Sequence, residues 1–411
     1  MRSDIFMAEL KNLNRERVLI LIPNFVGYSG DVINEVQLTK NLCRELGCFV
    51  LGFVSILKLP LLKKFIADLR KDKRMQGSTI LPLSILRPYS ITLLLASILL
   101  APIILLLDKL KPFKFIYVRS SILASAFMLI PSLARKTCVK IPAIFEDEAR
   151  SLGRIFSFIY RLADRLVLDR AGCICIPSPL LLRVIALRRG LSPKGKVIWV
   201  PPGIDREKVD TIKKQTRYHS DIREEYIIGF MGLLKWWQGV DILIKAVAKI
   251  KHSLDKPIKL LIVGDGPERR KIEKLCTELK VNCHITGFVR HEEALKYLLS
   301  FDVLVVPRIK SSTTESVIPI KIIEAWALGV PVVATKHKIY DYIELKDGED
   351  IVFCEPDPHD VANKMLVVLT DKELRKQLSE RGPRIAENYF YDRIVERILK
   401  AIQCINGESC G

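Results

Sequence analysis

The sequence of 411 residues contains no C-x-x-C pair, although it has ten cysteines. The two closest together, Cys173 and Cys175, lie in an apolar run that is typical of a strand. Structural zinc sites need a different spacing, so no metal site is predicted and the thiols are expected to be buried and reduced. The N-terminal residues are charged and lack the apolar core of a signal peptide. These absences favour a cytoplasmic protein.

Acidic residues are scarce in the first half of the chain. Residues 1–205 contain 31 Lys and Arg against 15 Asp and Glu, whereas residues 206–411 contain 34 against 31. A basic half predicts an anionic partner, such as phosphate groups or an anionic membrane surface, with general solubility as the alternative. Aromatic residues are not interleaved with the basic ones, so no nucleic-acid partner is predicted.

Apolar runs of strand length alternate with amphipathic stretches along the chain. This alternation predicts parallel sheets with helices on both faces, and the length predicts two such domains facing a cleft. We expect the domains at 1–205 and 206–384, with the polar segment Asp205–Glu225 as the seam. The predicted strands are Arg17–Pro23, Cys48–Ser55, Phe115–Ser120, Ile141–Asp147, Gly172–Ser178, Lys196–Gly203, Tyr226–Gly232, Lys259–Gly266, Asn282–Phe288, Asp302–Pro307, Pro331–Thr335 and Asp350–Pro356.

One segment interrupts the alternation. Ser90–Leu107 carries no charge over 18 residues, contains Pro102 and has basic residues on both sides. Its length is at the lower limit for a membrane span. Three interpretations stay open: a buried crossover helix, an apolar helix that enters one leaflet of a bilayer, and a true span. The basic first half favours the second, and therefore a peripheral position on the cytoplasmic membrane face.

Five motifs follow one another in the second half: GFMGLLKWWQGVDILIKA, LLIVGDGPERRKIE, CHITGFV, DVLVVPR and ESVIPIKIIEAWALGVPVVAT. Gly264 and Gly266 permit a tight strand-to-helix turn, but the third glycine of a dinucleotide fingerprint is missing. In order and spacing the motifs resemble the nucleotide-sugar domain of the family-4 retaining glycosyltransferases (glycosyl transferases group 1). The resemblance is specific in the second half and loose in the first.

That resemblance implies the GT-B fold, with two Rossmann-like domains. It implies a retaining enzyme that moves a hexose-type sugar from a UDP- or GDP-sugar to a hydroxyl acceptor, with no cofactor and no metal. The first domain would bind the acceptor and the second the nucleotide sugar. Residues 385–411 would contain the family's last helix, which crosses back onto the first domain.

The helix near Pro319 is the predicted site of the donor diphosphate. A helix N-terminus stabilises anions, Pro319 suits a first turn, and Lys321 adds a positive charge. By resemblance, Glu324 accepts hydrogen bonds from the ribose hydroxyls. The family's first glutamate lies eight residues before the second, and here that place is Ser316. Either Glu315, which is one residue earlier, contacts the sugar or Ser316 replaces it.

A second departure concerns the loop that follows Gly232. The family has an arginine and a lysine there, where this chain has Leu233 and Gln238. Lys235 is the only cation of the loop, so either Lys235 or Arg308 is expected to help bind the diphosphate. A solvated loop lysine is the alternative for Lys235.

Two candidates come from the first half. Gly30, in PNFVGYSGD, would allow the backbone to approach the donor phosphate or the acceptor, unless this is a plain connecting loop. Glu148, in EDEAR, stands where related enzymes carry a histidine, and would act as a base toward an acceptor hydroxyl or cap a helix.

The sequence therefore predicts a glycosyltransferase with a glycan or lipid-linked acceptor at a membrane surface. A nucleotide-sugar-binding protein without turnover, and a transferase or epimerase acting on soluble sugars, stay open as alternatives.

Overall fold

The computed structural model describes residues 18–23, 30–45, 48–55, 59–75, 78–85, 89–144, 154–216, 224–312 and 314–405. The chain divides into two compact units. The first comprises Met1–Pro201 with Tyr391–Gly411, and the second comprises Pro202–Phe390. The break therefore lies four residues before the predicted boundary at residue 205.

The first unit is built on a seven-stranded parallel sheet with the order β3-β2-β1-β4-β5-β6-β7. Its chain order reverses between β1 and β4, where doubly wound sheets bind ligands. The strands are β1 Val18–Ile22, β2 Cys48–Ser55, β3 Thr79–Ile85, β4 Phe115–Val118, β5 Thr137–Lys140, β6 Cys173–Ile176 and β7 Lys196–Trp199.

Helices separate these strands: α1 Gly30–Glu45, α2 Leu59–Lys71, α3 Tyr89–Leu110, α4 Ser121–Ala124, α5 Pro131–Lys136, α6 Arg154–Arg170 and α7 Pro179–Arg189. The C-terminal helix of this unit, Tyr391–Ile405, contributes Ile394 and Ile398 to the same core as the strand residues Ile20 and Val50. Apolar side chains of this helix therefore belong to the core of the first unit.

The second unit has a six-stranded parallel sheet with the order β10-β9-β8-β11-β12-β13, which reverses between β8 and β11. Its strands are β8 Tyr226–Met231, β9 Ile258–Val263, β10 Cys283–Ile285, β11 Val303–Val306, β12 Val332–Thr335 and β13 Val352–Cys354. Its helices are α8 Arg206–Thr216, α9 Val240–Ile250, α10 Arg269–Glu278, α11 His291–Leu299, α12 Ile320–Leu328, α13 Lys338–Tyr342, α14 Pro358–Thr370 and α15 Lys372–Ala386. The helix Tyr391–Ile405 is then α16.

The strands are apolar along their whole length, so both faces of each sheet have to be covered by helices. All four residues of β11 are buried, as are those of β12. Close packing also selects Gly229 in β8, because a Cβ there would lie 1.9 Å from the ring of Phe301. The predicted α/β class, with two doubly wound Rossmann-like domains, is confirmed.

Three local features differ from what the sequence predicted. The expected seam contains the helix α8, whose Val209 and Ile212 are buried three residues apart on one face. No strand is present at 141–144, the described part of the strand predicted at Ile141–Asp147, and the nearby β5 ends at Lys140. The strand β3 was not predicted, because Pro82 lies within it.

The uncharged segment forms α3, which continues through Pro102. One narrow face of α3 contacts the rest of the first unit. There Ser97 accepts a hydrogen bond from the Ala126 N–H, and Asp108 pairs with Lys136 at 2.9 Å. The opposite face exposes Ile91, Leu95, Ile98, Leu99, Ile103, Leu106 and Leu110. Ile91–Leu110 is long and apolar enough to cross a membrane. Only 28% of this stretch is buried against the rest of the protein. A buried crossover helix is therefore excluded.

Candidate functional site

The carboxyl edge of the second sheet brings together most of the predicted site residues. Gly232 follows β8, Gly264 follows β9 and Arg308 follows β11. The helix α12, which carries Lys321 and Glu324, begins after the same β11. This edge lies where the chain order reverses, so the fold itself places these groups at a ligand-binding position.

Glycines allow the loops at this edge to approach one another closely. Gly232 has a φ of 138°, and a Cβ on it would lie 2.7 Å from the Lys321 Nζ. Gly264 has a φ of 144°, and its Cβ would lie 2.0 Å from the Gly232 carbonyl oxygen. A Cβ on Gly266 would lie 2.4 Å from the carbonyl oxygen of Leu234. The three loops can therefore lie this close together only because these positions have no side chains.

Pro319 lies at the N-cap of α12, one residue before the helix, rather than inside its first turn as predicted. Its φ of −68° and ψ of 132° are extended, and no side chain caps the first turn. The free N–H groups of this turn and the helix dipole favour an anion at this end of the helix.

Lys321 is a buried cation without a carboxylate partner among the described residues. Its Nζ donates a hydrogen bond to the Gln238 Oε1 at 3.1 Å and lies 4.1 Å from the centre of the Phe230 ring. Burial lowers the pKa of Lys321 well below its usual value, and the positive charge of Arg308 lowers it further. An anion bound at Gly232 would favour the charged form of this amine and raise its pKa again.

Arg308 adds a second cation to the same edge. Its Nε is buried without a hydrogen-bond partner, and burial lowers the pKa of its guanidinium. A buried positive charge without a counter-ion is costly, so the buried Lys321 beside the half-buried Arg308 indicates a binding site for an anion.

Glu324 is almost fully buried and pairs with His291, a residue that the sequence analysis did not identify. The His291 Nε2 lies 2.6 Å from a carboxylate oxygen of Glu324, while the buried Nδ1 has no partner. His291 is the first residue of α11, and 33 positions separate it from Glu324. No local spacing pattern connects residues so far apart, so the sequence held no signal for this pair.

A group of unsatisfied polar side chains lies near Arg308. Both ring nitrogens of His337 and the hydroxyl of Tyr340 are buried without partners, and the two rings are 5.9 Å apart. Burial, reinforced by the positive charges of Arg308 and Lys310, lowers the pKa of His337 to about 3. His337 is therefore neutral at physiological pH.

The two candidates for the family's first glutamate differ in their surroundings. The Glu315 carboxylate is partly exposed and lies 3.4 Å from the Nζ of the exposed Lys338. Ser316 is buried, and its hydroxyl donates to the Ser312 carbonyl oxygen at 2.5 Å. Of the two, only Glu315 presents a charged group with access to solvent.

Lys235 does not join the two buried cations. It precedes a 3-10 turn, Trp236–Gln238, and its Nζ lies 4.3 Å from the centre of the Trp237 ring. Trp236 is 59% exposed. The cation nearest to Gly232 is Lys321, supplied by α12.

The first-half candidates contribute less. Gly30 is the first residue of α1, and Glu148 lies outside the described residues.

A buried charge cluster that was not predicted lies where the strand order of the first sheet reverses. Glu35 accepts hydrogen bonds from the Tyr117 hydroxyl at 2.7 Å, from Arg119 at 3.1 Å and from Lys140 at 2.8 Å. Burial alone would raise the pKa of Glu35, but Lys140 and Arg119 hold it below its usual value.

Solved structures with the same architecture identify the fold as GT-B. Sucrose-phosphate synthase from Thermosynechococcus elongatus matches with a TM-score of 0.69 and 18% identity, covering 96% of this chain and 100% of that one. HepE from Anabaena, solved with UDP-glucose, matches with a TM-score of 0.67 and 16% identity over 94% of this chain and 99% of that one. The glycosyltransferase WaaG, involved in lipopolysaccharide biosynthesis, matches with a TM-score of 0.63, 15% identity and 95% and 100% coverage.

Residues 212–385, somewhat less than half of the chain, match the family described as Glycosyl transferases group 1. An uncharacterized glycosyltransferase of Methanocaldococcus jannaschii is 23% identical over 49% of this chain and 51% of its own length. LpsE of Rhizobium meliloti, a lipopolysaccharide core biosynthesis glycosyltransferase, is 27% identical over 49% and 52%. The chain thus spans about half the length of the curated relatives that it matches.

Proposed function

We propose that this protein is a glycosyltransferase that takes its sugar from a nucleoside diphosphate sugar bound at the carboxyl edge of the second sheet. The observation that carries the proposal is a pair of cations beside the backbone of Gly232: the buried Lys321, and the half-buried Arg308, whose buried Nε has no partner. The diphosphate would accept hydrogen bonds from these cations and from the first turn of α12.

The same groups support a metal-independent reaction. As the glycosidic bond breaks, negative charge develops on the leaving diphosphate. Lys321 and Arg308 supply two positive charges from the protein itself, which is the role that a divalent ion plays in other phosphate sites.

Glu324 and His291 are the proposed ribose contacts. His291 occupies one carboxylate oxygen of Glu324, and the other is free to accept a hydrogen bond from a ribose hydroxyl. UDP- and GDP-sugars both carry this ribose, and a structural neighbour, HepE, was solved with UDP-glucose.

Toward the transferred sugar, the partly exposed Glu315 is the proposed catalytic contact, with Lys235 in the adjacent loop. A hexose-type sugar, a family-4 assignment and retention of anomeric configuration follow from the motif resemblance. Nuclear magnetic resonance of the anomeric proton in the first product would test retention.

The proposed acceptor is lipid-linked, and the first unit is proposed to lie on the cytoplasmic face of an anionic membrane. Ile155, Phe158 and Leu162 on α6 are exposed as well, and both α3 and α6 contact α4. Exposed basic residues border this surface: Lys109, Lys111, Arg154, Arg161 and Arg165. Apolar side chains with basic neighbours suit the interface of an anionic bilayer.

The names of two relatives are consistent with such acceptors. LpsE is named for lipopolysaccharide core biosynthesis, and a Campylobacter jejuni relative, 25% identical over 45% of this chain, is named for a substrate on PP-undecaprenol.

Titration with UDP, GDP and ADP, with and without a chelator, tests the donor assignment. The proposal predicts that one nucleotide stabilises the protein in the presence of chelator and that Glu324→Ala abolishes this effect. The absence of stabilisation by all three would refute it.

A nucleotide-sugar-binding protein without turnover is the second candidate. It is favoured by Leu233, Gln238 and Ser316, which replace polar or charged groups of the family. Nucleotide binding without transfer or hydrolysis would identify this case.

A further inference from the structure

Three cysteine side chains meet in the core of the first unit, although the sequence separates them. Cys138 lies on β5, and Cys173 and Cys175 lie on the neighbouring β6. Cys138 and Cys173 are directly paired in the sheet register, and residues two apart on a strand share one face. All three are fully buried, and their sulphur atoms lie within 4.8 Å of one another.

The distances single out Cys138 as the central thiol. Its Sγ lies 2.7 Å from the Cys173 Sγ and 3.2 Å from the Cys175 Sγ. Both distances are shorter than an ordinary contact of about 3.5–4.0 Å between non-bonded heavy atoms. Neighbouring strands, about 4.7–4.9 Å apart, are also within the Cα separation that a disulfide spans.

The three thiols are not chemically equivalent, because Cys175 has a positive neighbour. Lys140 is its register partner on β5 and carries a positive charge next to Glu35. Burial alone would raise the pKa of Cys175, but the S–H groups of Cys138 and Cys173 and the charge of Lys140 lower it to about 5. Burial raises the pKa of Cys138. Lys140 therefore favours the ionised form of Cys175 within the cluster.

We propose that Cys138 is the shared partner of a reversible intramolecular disulfide, which it forms with either Cys173 or Cys175 when a peroxide oxidises the cluster.

The chemistry balances with hydrogen peroxide as the oxidant. The Cys175 thiolate attacks one peroxide oxygen, the O–O bond breaks, and the departing hydroxide takes up a proton to become water. The Cys138 sulphur then attacks the sulfenic acid, which forms the S–S bond and releases a second water. Two thiols lose two electrons, and one peroxide becomes two waters. Cys173 can then attack Cys138 and displace the Cys175 thiolate.

Burial gives this cross-link two expected properties. A small oxidant enters slowly, through local opening of the core, whereas a bulky reductant has no direct path to the closed bond. The bond also connects residues 35 positions apart, so it restricts the unfolded chain and stabilises the folded one.

The test uses the full chain, purified in reductant and exposed to hydrogen peroxide. Free thiols are alkylated after unfolding, and peptides are mapped without reduction. We expect a peptide containing Cys138 joined to the peptide that carries Cys173 and Cys175, with the loss of two hydrogens. Dithiothreitol should reverse it, and the oxidised chain should unfold about 5 °C higher than the reduced chain.

Variants distinguish the central thiol from its two partners. Cys138→Ala should abolish the cross-link and Cys173→Ala should retain it, whereas Cys175→Ala should form it more slowly, through Cys173, because the thiol that ionises most readily is missing. Cys43→Ala is the matched control, because Cys43 is buried in the same core but outside the cluster, and it should behave as the wild type. If Cys138→Ala does not fold, the alkylation state of Cys138 in the oxidised wild type decides the question.

Three results would overturn the proposal. The first is Cys138 recovered entirely as a thiol at a peroxide dose that oxidises the half-buried Cys283. The second is a cross-link that persists in Cys138→Ala. The third is one equivalent of zinc or copper bound to the cluster with all three cysteines reduced, because that would make it a metal site.

Discussion

In the proposed site, Lys321 would bind the diphosphate, while its burial lowers the stability of the protein without a ligand. Its amine is buried beside Gly232, where it donates to the Gln238 amide oxygen and contacts the Phe230 ring, and no carboxylate among the described residues pairs with it. The motif predicted a positive charge at this position, whereas Lys235 or Arg308 was expected to replace the missing loop cations. Under the proposed function Lys321 also helps to replace them, because its side chain extends from α12 to Gln238, and the loop sequence does not contain that information.

Replacing Lys321 by Met should change stability and affinity in opposite directions. Removal of a buried, unpaired charge should leave the free energy of unfolding unchanged or higher. Loss of a charge-assisted contact should weaken nucleoside diphosphate binding by about 10- to 100-fold. Calorimetric titration and chemical denaturation measure the two effects.

Lys310→Met is the matched control, because Lys310 forms an exposed ion pair with Glu355. It should alter neither quantity appreciably. A Lys321→Met protein that binds the nucleotide as the wild type does would remove Lys321 from the site.

His291 should act by holding Glu324 in place. His291→Ala leaves a buried carboxylate without a partner, so we expect a loss of about 1–3 kcal/mol in the free energy of unfolding and weaker nucleotide binding. In His291→Gln the amide N–H can replace the Nε2 contact, so both quantities should stay close to the wild type. Equal behaviour of the Ala and wild-type proteins would contradict this role.

His337 should make stability depend on pH. It stays neutral in the folded chain because its pKa is about 3, but an unfolded histidine takes up a proton near pH 6.5. The unfolded state therefore binds more protons as the pH falls from about 6.5 to 3, and stability decreases by up to about 1.4 kcal/mol per pH unit from this group alone.

Denaturation of the wild type and His337→Gln between pH 4 and 7 measures this effect. The variant should have the shallower dependence on pH, because carboxylates affect both proteins equally. Identical slopes would show that His337 is protonated in the folded state or remains neutral when unfolded.

At the scale of elements, the strands were largely predictable and the surfaces were not. Continuous runs such as Cys48–Ser55 leave no alternative to a buried parallel strand, and the structure has β2 over the same residues. The helix α8 was missed because its buried positions are few and its remaining residues are charged. For α3, composition indicated an apolar helix, but only the packing shows that its apolar side is the uncovered one.

Charges on the exposed face of α3 should release the protein from membranes. Leu95→Glu with Leu99→Glu removes two apolar side chains from the proposed interface, each worth about 1.5–3 kcal/mol when buried. Binding to vesicles with anionic lipids should fall by at least about tenfold, with thermal unfolding unchanged. Co-sedimentation measures the bound fraction.

Val367→Glu is the control for an exposed apolar residue elsewhere, since Val367 lies on α14 of the second unit. It should bind vesicles as the wild type does. Undiminished binding of the Leu95 and Leu99 variant would place the membrane contact on another surface.

At the scale of the whole molecule, the sequence indicates fold class better than chemistry. Alternating strands and helices were sufficient for two doubly wound units, and the second-half motifs located Glu324, Pro319 and Gly232 at one edge of a sheet. The His291–Glu324 pair and the cluster around Cys138 come from neighbours that are distant in sequence. Such contacts exist only once the strands and helices are packed, which is why no spacing pattern contained them.

The most direct test of the central claim is the release of nucleoside diphosphate from nucleoside diphosphate sugars. Full-length protein on anionic vesicles, with lipid-linked acceptors and a chelator present, should release one nucleoside diphosphate and form one glycosylated lipid, and Glu324→Ala should do neither. Binding of the donor without release on any acceptor would contradict the transferase assignment and leave a nucleotide-sugar-binding protein.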